Sequence, residues 1–312
     1  MSSPPDRRRA IFPSNAQGFG WRCMQERVLP ELDSTIAARL SGTRAAILDM
    51  DGTLVIGDSE TGAPKPLPSA AELLRLLRAR GIPFRIFTNG TAKTPSAYAA
   101  NLRSAGLDVD DTEMMTPSTA AAAWFVQKSM RRIRVLGLEG VQEPLRKAGL
   151  DVIGPATTAD NVEAVFTGWF REFTFPDLEA ACRDVWAGAS LTTASNVPFF
   201  AAQNGRAIGA SYAINAMIQS MTGANVTILG KPAPAALHCA LNLMGLPPEA
   251  AQQTIVVGDD PALEMRMARD AGAFAVAVTT GLTDNNSFAN TVPSERPDIV
   301  FKGLDQMIAA FG

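Results

Sequence analysis

The chain is poor in the residues that usually form disulfides, zinc sites or imidazole-based catalytic centres. It has three cysteines and one histidine among 312 residues, and Cys23, Cys182 and Cys239 are scattered without metal-ligand spacing. An odd, scattered set of cysteines in a chain of this size fits a reducing compartment. The single histidine, His238, lies on a predicted helix and is interpreted as a surface or packing residue.

Long apolar runs and strong charge are also missing. No stretch approaches 18 uninterrupted apolar residues, so no membrane span is expected. The formal net charge is −3 without a long basic run, which argues against a nucleic-acid surface. Residues 1–12 are mostly polar and basic and lack the apolar core of a secretory signal. These absences predict a cytoplasmic protein that binds neither nucleic acid nor membrane.

The chain does have the apolar content, 46%, to bury one large domain or two of ordinary size. Strand-like apolar runs alternate with helix-like segments, which is typical of an α/β fold with a parallel sheet. The alternation is repeated in a middle block and resumes after it. Before the first strand, a segment rich in Pro, Arg and Ser is followed by a predicted helix from Met24 to Leu40.

Four predicted strands end on polar residues that a buried strand does not need. The first ends on Asp49 and Asp51, and the others end on Thr88-Asn89-Gly90, Gly230-Lys231-Pro232 and Gly258-Asp259-Asp260. Open α/β sheets bind their ligands at the carboxyl ends of the strands. If these four strands are neighbours in one sheet, their polar segments meet at one edge.

The residues at these strand ends have complementary chemistry. Asp49 can attack phosphorus as a carboxylate nucleophile, while Asp51 can protonate the leaving oxygen and later accept a proton from water. Mg²⁺ prefers oxygen ligands, which Asp49, Asp259 and a backbone carbonyl near Asp51 can supply. The Thr88 hydroxyl and nearby backbone N–H groups can hold phosphoryl oxygens, and Lys231 adds a positive charge.

Each motif taken alone also has an ordinary structural explanation. The two aspartates could cap a loop, Thr-Asn-Gly is a common turn, and Gly-Lys-Pro could begin a helix with proline in its first turn. The ordered set, with every member at a strand end, is what favours the functional interpretation.

The ordered set resembles the four motifs of the haloacid dehalogenase superfamily of phosphatases. The resemblance covers about residues 44–309, and its motifs are Asp49-Met50-Asp51-Gly52-Thr53, Thr88-Asn89-Gly90, Gly230-Lys231-Pro232 and Gly258-Asp259 through Glu264. It implies catalysis through an aspartyl-phosphate, with Asp49 and Asp51 as the catalytic residues. It also implies Mg²⁺ at Asp49, Asp51 and Asp259, and a substrate phosphate held by Thr88, Asn89, Gly90 and Lys231.

One position departs from the usual pattern of the superfamily. Glu264 stands where an aspartate is commoner, and it could support either Lys231 or a metal-bound water. Asp260 is a second candidate for that supporting role.

The position of the insertion makes the chain similar to subclass IIA, which includes p-nitrophenyl phosphatases, pyridoxal phosphatase and phosphoglycolate phosphatase. Over a hundred residues separate the second and third motifs, and they contain the second α/β block. The implied organisation is an N-terminal extension with a helix (1–43), a Rossmann-like core with a parallel sheet (44–131 and 226–312) and an inserted α/β cap (132–225). In this subclass the cap closes over the core and selects the leaving group.

A loop of the cap departs from the subclass. It commonly reads Thr-Asn-x-Asp, and the matching stretch here begins at Thr193. Asn196 is present and is a supporting site candidate, but Pro198 replaces the acid. The replacement predicts a more apolar lid over the ligand.

The function implied by the resemblance is a Mg²⁺-dependent phosphomonoesterase for a small phosphorylated metabolite, with a possible homodimer through the cap. A haloacid dehalogenase on the same fold is disfavoured by Asp51, because those enzymes lack the second aspartate. A catalytically silent, phosphometabolite-binding regulatory protein is disfavoured by the intact set of motifs. Sugar phosphates, phosphoglycolate, nucleotides and pyridoxal phosphate all stay open as substrates.

Overall fold

The computed structural model describes residues 33–57, 63–202, 205–281 and 283–311. Within these residues the strands form two parallel sheets and two short hairpins. In chain order the strands are β1 (Ala45–Leu48), β2 (Val55–Gly57), β3 (Pro64–Pro66), β4 (Phe84–Phe87), β5 (Met114–Met115), β6 (Arg132–Leu136), β7 (Asp151–Ile153), β8 (Ala164–Thr167), β9 (Ser190–Thr193), β10 (Phe199–Ala202), β11 (Gly205–Ile208), β12 (Val226–Ile228), β13 (Thr254–Gly258), β14 (Phe274–Val278) and β15 (Ile299–Phe301).

The helices of the same residues connect the strands and cover the sheets. In chain order they are α1 (Ser34–Ser41), α2 (Ala70–Ala79), α3 (Pro95–Ser104), α4 (Pro117–Gln127), α5 (Glu139–Lys147), α6 (Phe175–Trp186), α7 (Ala210–Thr222), α8 (Pro234–Leu243), α9 (Arg266–Ala271), α10 (Asn285–Ala289) and α11 (Leu304–Phe311). A single π-helical turn, Pro261–Met265, precedes α9.

The larger sheet has six strands in the order β15-β14-β13-β1-β4-β5, and all neighbouring pairs are parallel. β1 is paired with β13 on one side and with β4 on the other, and all of its residues are buried. Strands covered by helices on both faces are apolar throughout, which explains the runs that the sequence shows. The predicted Rossmann-like core is confirmed, and the carboxyl ends of β1, β4 and β13 lie side by side.

The smaller sheet has five strands in the order β12-β9-β8-β6-β7, and it is also parallel. It contains the predicted second α/β block, but it includes one strand more than expected. The boundary at residues 225/226 assigned Val226–Ile228 to the core, whereas this strand pairs with Leu191–Thr193 of β9 in the smaller sheet. The assignment was wrong because strands of the two sheets have the same local pattern, and only the long-range pairing separates them.

Helix α4 packs against the hydrophobic residues of both sheets. Ala120 lies in a buried cluster with Ala236 of α8, on the side of the larger sheet. Ala121 and Phe125 lie in a cluster with Phe166 of β8, on the side of the smaller sheet. The predicted boundary at residues 131/132 therefore follows a helix that is shared by both cores.

Several short elements have no clear signal in the sequence. The hairpins β2/β3 and β10/β11 contain few residues each, and proline occupies both ends of β3. The two-residue strand β5 and the edge strand β15 are likewise too short for a periodic pattern.

The predicted N-terminal helix is described only in part. Helix α1 begins at Ser34, and the Asp33 carboxylate caps it by accepting the Ile36 N–H at 2.8 Å. The expected loose segment and the start of the predicted helix, residues 1–32, lie outside the described residues. Among the helices of the described ranges, none has the length and apolar character needed to cross a bilayer.

Candidate active site

Asp49 lies directly after β1, at the carboxyl edge of the larger sheet, and it is buried. Its backbone N–H donates to the carbonyl of Val257 in β13 at 2.8 Å, so the strand pairing extends to this residue. Asp49 Oδ1 accepts from Lys231 Nζ at 2.5 Å, and Oδ2 accepts from the Thr53 hydroxyl at 3.2 Å. The carboxylate is thus fixed in orientation by donors from two different loops.

Lys231 is 2% exposed, and its ammonium group uses all three of its donors. They go to Asp49, to Glu264 Oε1 at 2.5 Å and to the Phe87 carbonyl at 2.8 Å. Burial disfavours the charged amine, but the Asp49 and Glu264 carboxylates outweigh burial and raise the pKa of Lys231 above its ordinary value. Lys231 is therefore a permanent positive charge beside Asp49.

Glu264 connects Lys231 to the loop after β13. Its Oε1 accepts from Lys231, and its Oε2 accepts the backbone N–H of Asp260 at 3.2 Å. Burial raises the pKa of Glu264, and the Lys231 ammonium group opposes this rise by pairing with the carboxylate. The contact with Lys231, one of the two roles that the sequence left open for Glu264, is present in the structure.

Asp51 follows two residues after Asp49 and forms a β-bridge with Val55. Solvent reaches its side chain, and Oδ2 lies 3.5 Å from the Thr88 hydroxyl. Desolvation by the surrounding protein, and then the Asp49 carboxylate, raise the pKa of Asp51 to about 6 against the opposing effect of Lys231. A carboxyl group that titrates near neutrality can both give and take a proton at physiological pH.

Asn89 uses its side-chain amide to hold the backbone of Lys231. Its Nδ2 donates to the Lys231 carbonyl at 3.0 Å, and its Oδ1 accepts the Lys231 N–H at 2.9 Å. Both polar atoms of the Asn89 side chain are therefore used to position Lys231. The neighbouring Thr88 hydroxyl accepts the Gly90 N–H at 3.0 Å, which closes the turn after β4.

Gly90 is required by the side chain of Tyr98 in α3. A Cβ at position 90 would lie 2.4 Å from the Tyr98 hydroxyl oxygen. Burial, and then the Asp51 carboxylate, raise the pKa of Tyr98 to about 12, while backbone hydrogen bonds from Lys93 and Ala92 oppose this rise. The neutral phenol thus supports the turn that carries Thr88 and Gly90.

Asp259 follows β13, and its carboxylate lies between two glycines. An ideal Cβ at Gly52 would lie 2.4 Å from Asp259 Oδ2, and one at Gly281 would lie only 1.8 Å from the same oxygen. Gly52 also has a φ of 83°, which disfavours any side chain there. The Thr280 hydroxyl donates to the Gly52 carbonyl at 2.6 Å and joins the two glycine loops. The position of Asp259 therefore depends on the absence of both side chains.

The carboxylates at this edge outnumber the positive charges that the protein places among them. Asp51 interacts electrostatically with Asp49 and Asp259, and Asp49 and Glu264 both pair with the Lys231 ammonium group. Within the described ranges, no three His, Cys, Asp or Glu side chains form a metal-binding group. Mg²⁺ needs fewer, because it takes one or two carboxylates and keeps several waters. The residues present fit such a cation, since two buried carboxylates and a surplus of negative charge occur together.

The two remaining candidates lie at the margin of this cluster. The Asp260 side chain accepts the Ala262 N–H at 2.8 Å and caps the π-helical turn, and burial raises its pKa. Asn196 lies half-buried in the loop after β9. This loop contacts the third motif, because the carbonyl of Ala194 lies 2.2 Å from the ideal Cβ position of Gly230.

Two family models match the chain and together contain all four motifs. A model described as haloacid dehalogenase-like hydrolase matches residues 46–151, and a model described as HAD-hydrolase-like matches residues 228–307. The chain belongs to the haloacid dehalogenase-like hydrolases. The gap between the two matches, residues 152–227, contains most of the smaller sheet.

Relatives of known function narrow the assignment within this superfamily. The chain is 24% identical to the 5′-nucleotidase YutF of Bacillus subtilis over 84% of the chain and 96% of that protein. It is 26% identical to the acid sugar phosphatase of Staphylococcus aureus over 85% of the chain and 97% of that protein. The structure of 4-nitrophenylphosphatase from Thermotoga maritima is similar, with a TM-score of 0.76, 26% identity and coverage of 88% of the chain and 99% of that protein. The predictions of a subclass IIA member and of a phosphomonoester hydrolase are confirmed.

Some residues of this haloacid dehalogenase-like site were not identified from the sequence. Thr280 and Gly281 follow β14, which is the neighbour of β13 in the larger sheet. The rule that located the four motifs, polar residues after a buried strand, applies to this fifth strand end as well. Tyr98 had no such signal, because it lies inside a helix and only the fold brings it against Gly90.

Proposed function

We propose that this chain hydrolyses small phosphorylated metabolites through an aspartyl-phosphate on Asp49. The observation that carries the proposal is the position of the Asp49 carboxylate, held at one oxygen by Lys231 and at the other by Thr53. Asp51 follows two residues later with a pKa raised to about 6. A fixed carboxylate nucleophile beside a carboxyl group that titrates near neutrality is the pair that two-step phosphoryl transfer requires.

The first step forms one bond and breaks another. A carboxylate oxygen of Asp49 attacks phosphorus, the bond from phosphorus to the ester oxygen breaks, and Asp51 transfers its proton to the departing alcohol. In the second step water attacks the aspartyl-phosphate, Asp51 takes a proton from that water, and the bond between phosphorus and the Asp49 oxygen breaks. Inorganic phosphate leaves, and both carboxyl groups return to their starting states.

Residues around the nucleophile hold the transferring group. The Thr88 hydroxyl and the backbone N–H groups of Asn89 and Gly90 are the proposed donors to phosphoryl oxygens. Lys231 keeps its charge at Asp49 and offsets the negative charge that concentrates during transfer. Because the Asn89 side chain fixes the Lys231 backbone, it contributes to this site by positioning.

Asp49, Asp259 and the backbone carbonyl of Asp51 are the proposed holders of Mg²⁺. When bound, the cation supplies charge that reduces the repulsion between a carboxylate nucleophile and an anionic phosphoryl group. Asp260 and Glu264 support this edge through the loop after β13, and Asn196 belongs to the proposed cap of residues 132–225. Strand β12 extends the sheet of that cap to Ile228.

The proposed substrate class is small phosphorylated metabolites, including nucleotides and sugar phosphates. The support is that the relatives above are named a 5′-nucleotidase and an acid sugar phosphatase. A screen of phosphate release over both classes ranks them by kcat/KM. Homodimerisation through the cap and a cytoplasmic location stay predictions, and sedimentation of the purified protein tests the first.

The decisive experiment measures phosphate release from p-nitrophenyl phosphate by wild type and by Asp49→Asn. We expect the substitution to reduce kcat by at least about 10³-fold, because the nucleophile is lost. Chelation of Mg²⁺ should also abolish activity, and added Mg²⁺ should restore it. Asp270→Asn, on the outer face of α9, is the matched control and should keep wild-type activity. Full activity of Asp49→Asn would contradict the nucleophile assignment.

A further inference from the structure

The segment that follows β4, residues Thr88 to Lys93, contacts the proposed cap at the same time as it lines the active site. We refer to it as the motif-two loop. Its first half holds the site, since Thr88 lies against Asp51 and Asn89 fixes Lys231. Its second half has no role in the chemistry proposed above.

Thr91 is the residue of this second half that joins the two parts of the molecule. It is 4% exposed, and its hydroxyl oxygen accepts the backbone N–H of Trp169 at 2.9 Å. Trp169 lies in the loop directly after β8, a strand of the smaller sheet. The hydrogen bond therefore connects the carboxyl end of a cap strand to the loop that carries Thr88.

Two glycines of the cap allow this contact. An ideal Cβ at Gly140, in the first turn of α5, would lie 2.5 Å from the Thr91 carbonyl oxygen and 2.7 Å from the Lys93 backbone nitrogen. An ideal Cβ at Gly168 would lie 3.1 Å from the Thr91 hydroxyl oxygen. The backbone of the motif-two loop therefore approaches Gly140 so closely that a side chain at position 140 would not fit between them.

We propose that Thr91 is a positioning residue that fixes the motif-two loop to the cap, so that the geometry of the phosphate site depends on the position of the cap. The inference rests on the proposed function, because it concerns the same site. A hydroxyl that accepts one amide N–H is a directional contact, and its loss leaves the Trp169 amide without this acceptor. The two residues between Thr91 and Thr88, Asn89 and Gly90, transmit any displacement of Thr91 to the donors that hold the phosphoryl group.

The test compares Thr91→Val with Thr91→Ser. Valine keeps the shape and removes the hydroxyl, whereas serine keeps the hydroxyl. For Thr91→Val we expect kcat/KM for p-nitrophenyl phosphate to fall about tenfold and the Ki of inorganic phosphate to rise by a similar factor. Thr91→Ser should stay within about twofold of wild type in both constants, because it can accept the same N–H.

The matched control is Thr254→Val. Thr254 is fully buried, and its hydroxyl donates to the Ala250 carbonyl at 2.8 Å, at the opposite end of β13 from Asp259. Loss of the Thr254 hydroxyl should lower the unfolding temperature but leave the Ki of inorganic phosphate unchanged. Equal Ki values for wild type and Thr91→Val would overturn the proposal, as would an equal rise in Ki for Thr91→Val and Thr254→Val.

A second variant approaches the contact from the cap. Gly140→Ala suits a helix but places a methyl group against the Thr91 backbone, so it should raise the Ki of phosphate in the same direction without touching the hydroxyl. If Thr91→Val does not fold, an unchanged Ki in Gly140→Ala overturns the proposal. Failure of the proposed function is recognised separately, because wild type itself would then release no phosphate.

Discussion

The Asn89 side-chain amide forms two hydrogen bonds with the backbone of Lys231, although 142 positions separate the two residues in the chain. It donates to the Lys231 carbonyl and accepts from the Lys231 N–H, as a paired residue does in a β-sheet. It fixes the Lys231 backbone, so that Nζ reaches Asp49, Glu264 and Phe87 together. This arrangement predicts that Asn89 matters for catalysis through Lys231.

Asn89→Ala should therefore lower kcat about 10- to 100-fold, because the Lys231 ammonium loses its fixed position beside Asp49. Steady-state phosphatase assays give the change. Asn242→Ala, on the exposed side of α8, is the matched control and should behave as wild type. An Asn89→Ala enzyme with unchanged kcat would show that Lys231 is positioned without the amide.

Gly281→Ala should impair the site by displacing Asp259. The added methyl would collide with Asp259 Oδ2, and the carboxylate cannot stay in place. We expect kcat to fall about 100-fold and the Mg²⁺ concentration for half-maximal activity to rise. Titration of activity with Mg²⁺ measures both. Gly57→Ala, whose Cβ would meet no atom within 4 Å, should leave both values unchanged.

Asp184→Asn should destabilise the protein strongly. Arg134 is 1% exposed, its Nε donates to Asp184 Oδ2 at 2.5 Å, and its Nη1 donates to three backbone carbonyls between Gly154 and Thr157. Removal of the Asp184 charge leaves a buried guanidinium unpaired, which costs about 3–5 kcal/mol of the free energy of unfolding. Urea denaturation measures the loss.

The exposed ion pair on the same sheet provides the control for that experiment. Arg132 Nε lies 2.7 Å from Asp151 Oδ2, but the two side chains are 42% and 50% exposed. Asp151→Asn should change the free energy of unfolding by less than about 1 kcal/mol. A similar loss in both variants would mean that burial does not determine the contribution of these pairs.

Glu163 should make the free energy of unfolding depend on pH in the acid range. Its Oε2 accepts the backbone N–H groups of Arg131 and Arg132 at 2.6 and 2.9 Å, and these bonds lower the pKa of Glu163 in the folded state. A lowered pKa in the folded state stabilises the protein above the unfolded-state pKa, and this stabilisation is lost as pH falls through the folded-state pKa.

Glu163→Gln should therefore lower the free energy of unfolding by about 0.5 kcal/mol at pH 7. The value is small because solvent screens this exposed group. Once the pH lies below the lowered pKa of Glu163, the substitution should leave the free energy of unfolding nearly unchanged. Urea denaturation at the two pH values measures the difference. Glu179→Gln, on the exposed face of α6, is the matched control. A cost for Glu163→Gln that persists in acid would contradict the assignment to ionised Glu163.

The sequence was sufficient to predict the parallel core and three of the residues that meet at its edge, because Asp49, Thr88 and Asp259 each follow a buried apolar strand. Those strands are β1, β4 and β13, and they are neighbours. Lys231 lies at the same edge, although the strand before it, β12, belongs to the smaller sheet. Its position depends on hydrogen bonds to Asn89. Contacts between residues that are distant in the chain cannot be predicted from local periodicity.

The supporting residues show the same limit. Glu264 could be identified as an acid near Asp259, but its contact with Lys231 depends on the π-helical turn that contains Glu264. Tyr98 lies on a helix with a weak apolar pattern, and its contact with Gly90 exists only in the folded chain. Strand ends can be located from the sequence, whereas the identity of the residues that contact and position them depends on tertiary packing.

Helix α4 has a consequence for attempts to reduce this protein to its catalytic half. Its face with Ala121 and Phe125 is covered by residues of the smaller sheet, and its face with Ala120 is covered by residues of the larger sheet. A minimal enzyme made by excising residues 132–225 would present that first face to water as an apolar stripe, and aggregation would follow. Such a truncation would have to carry polar replacements on one side of α4, because this helix contributes buried residues to two hydrophobic clusters at once.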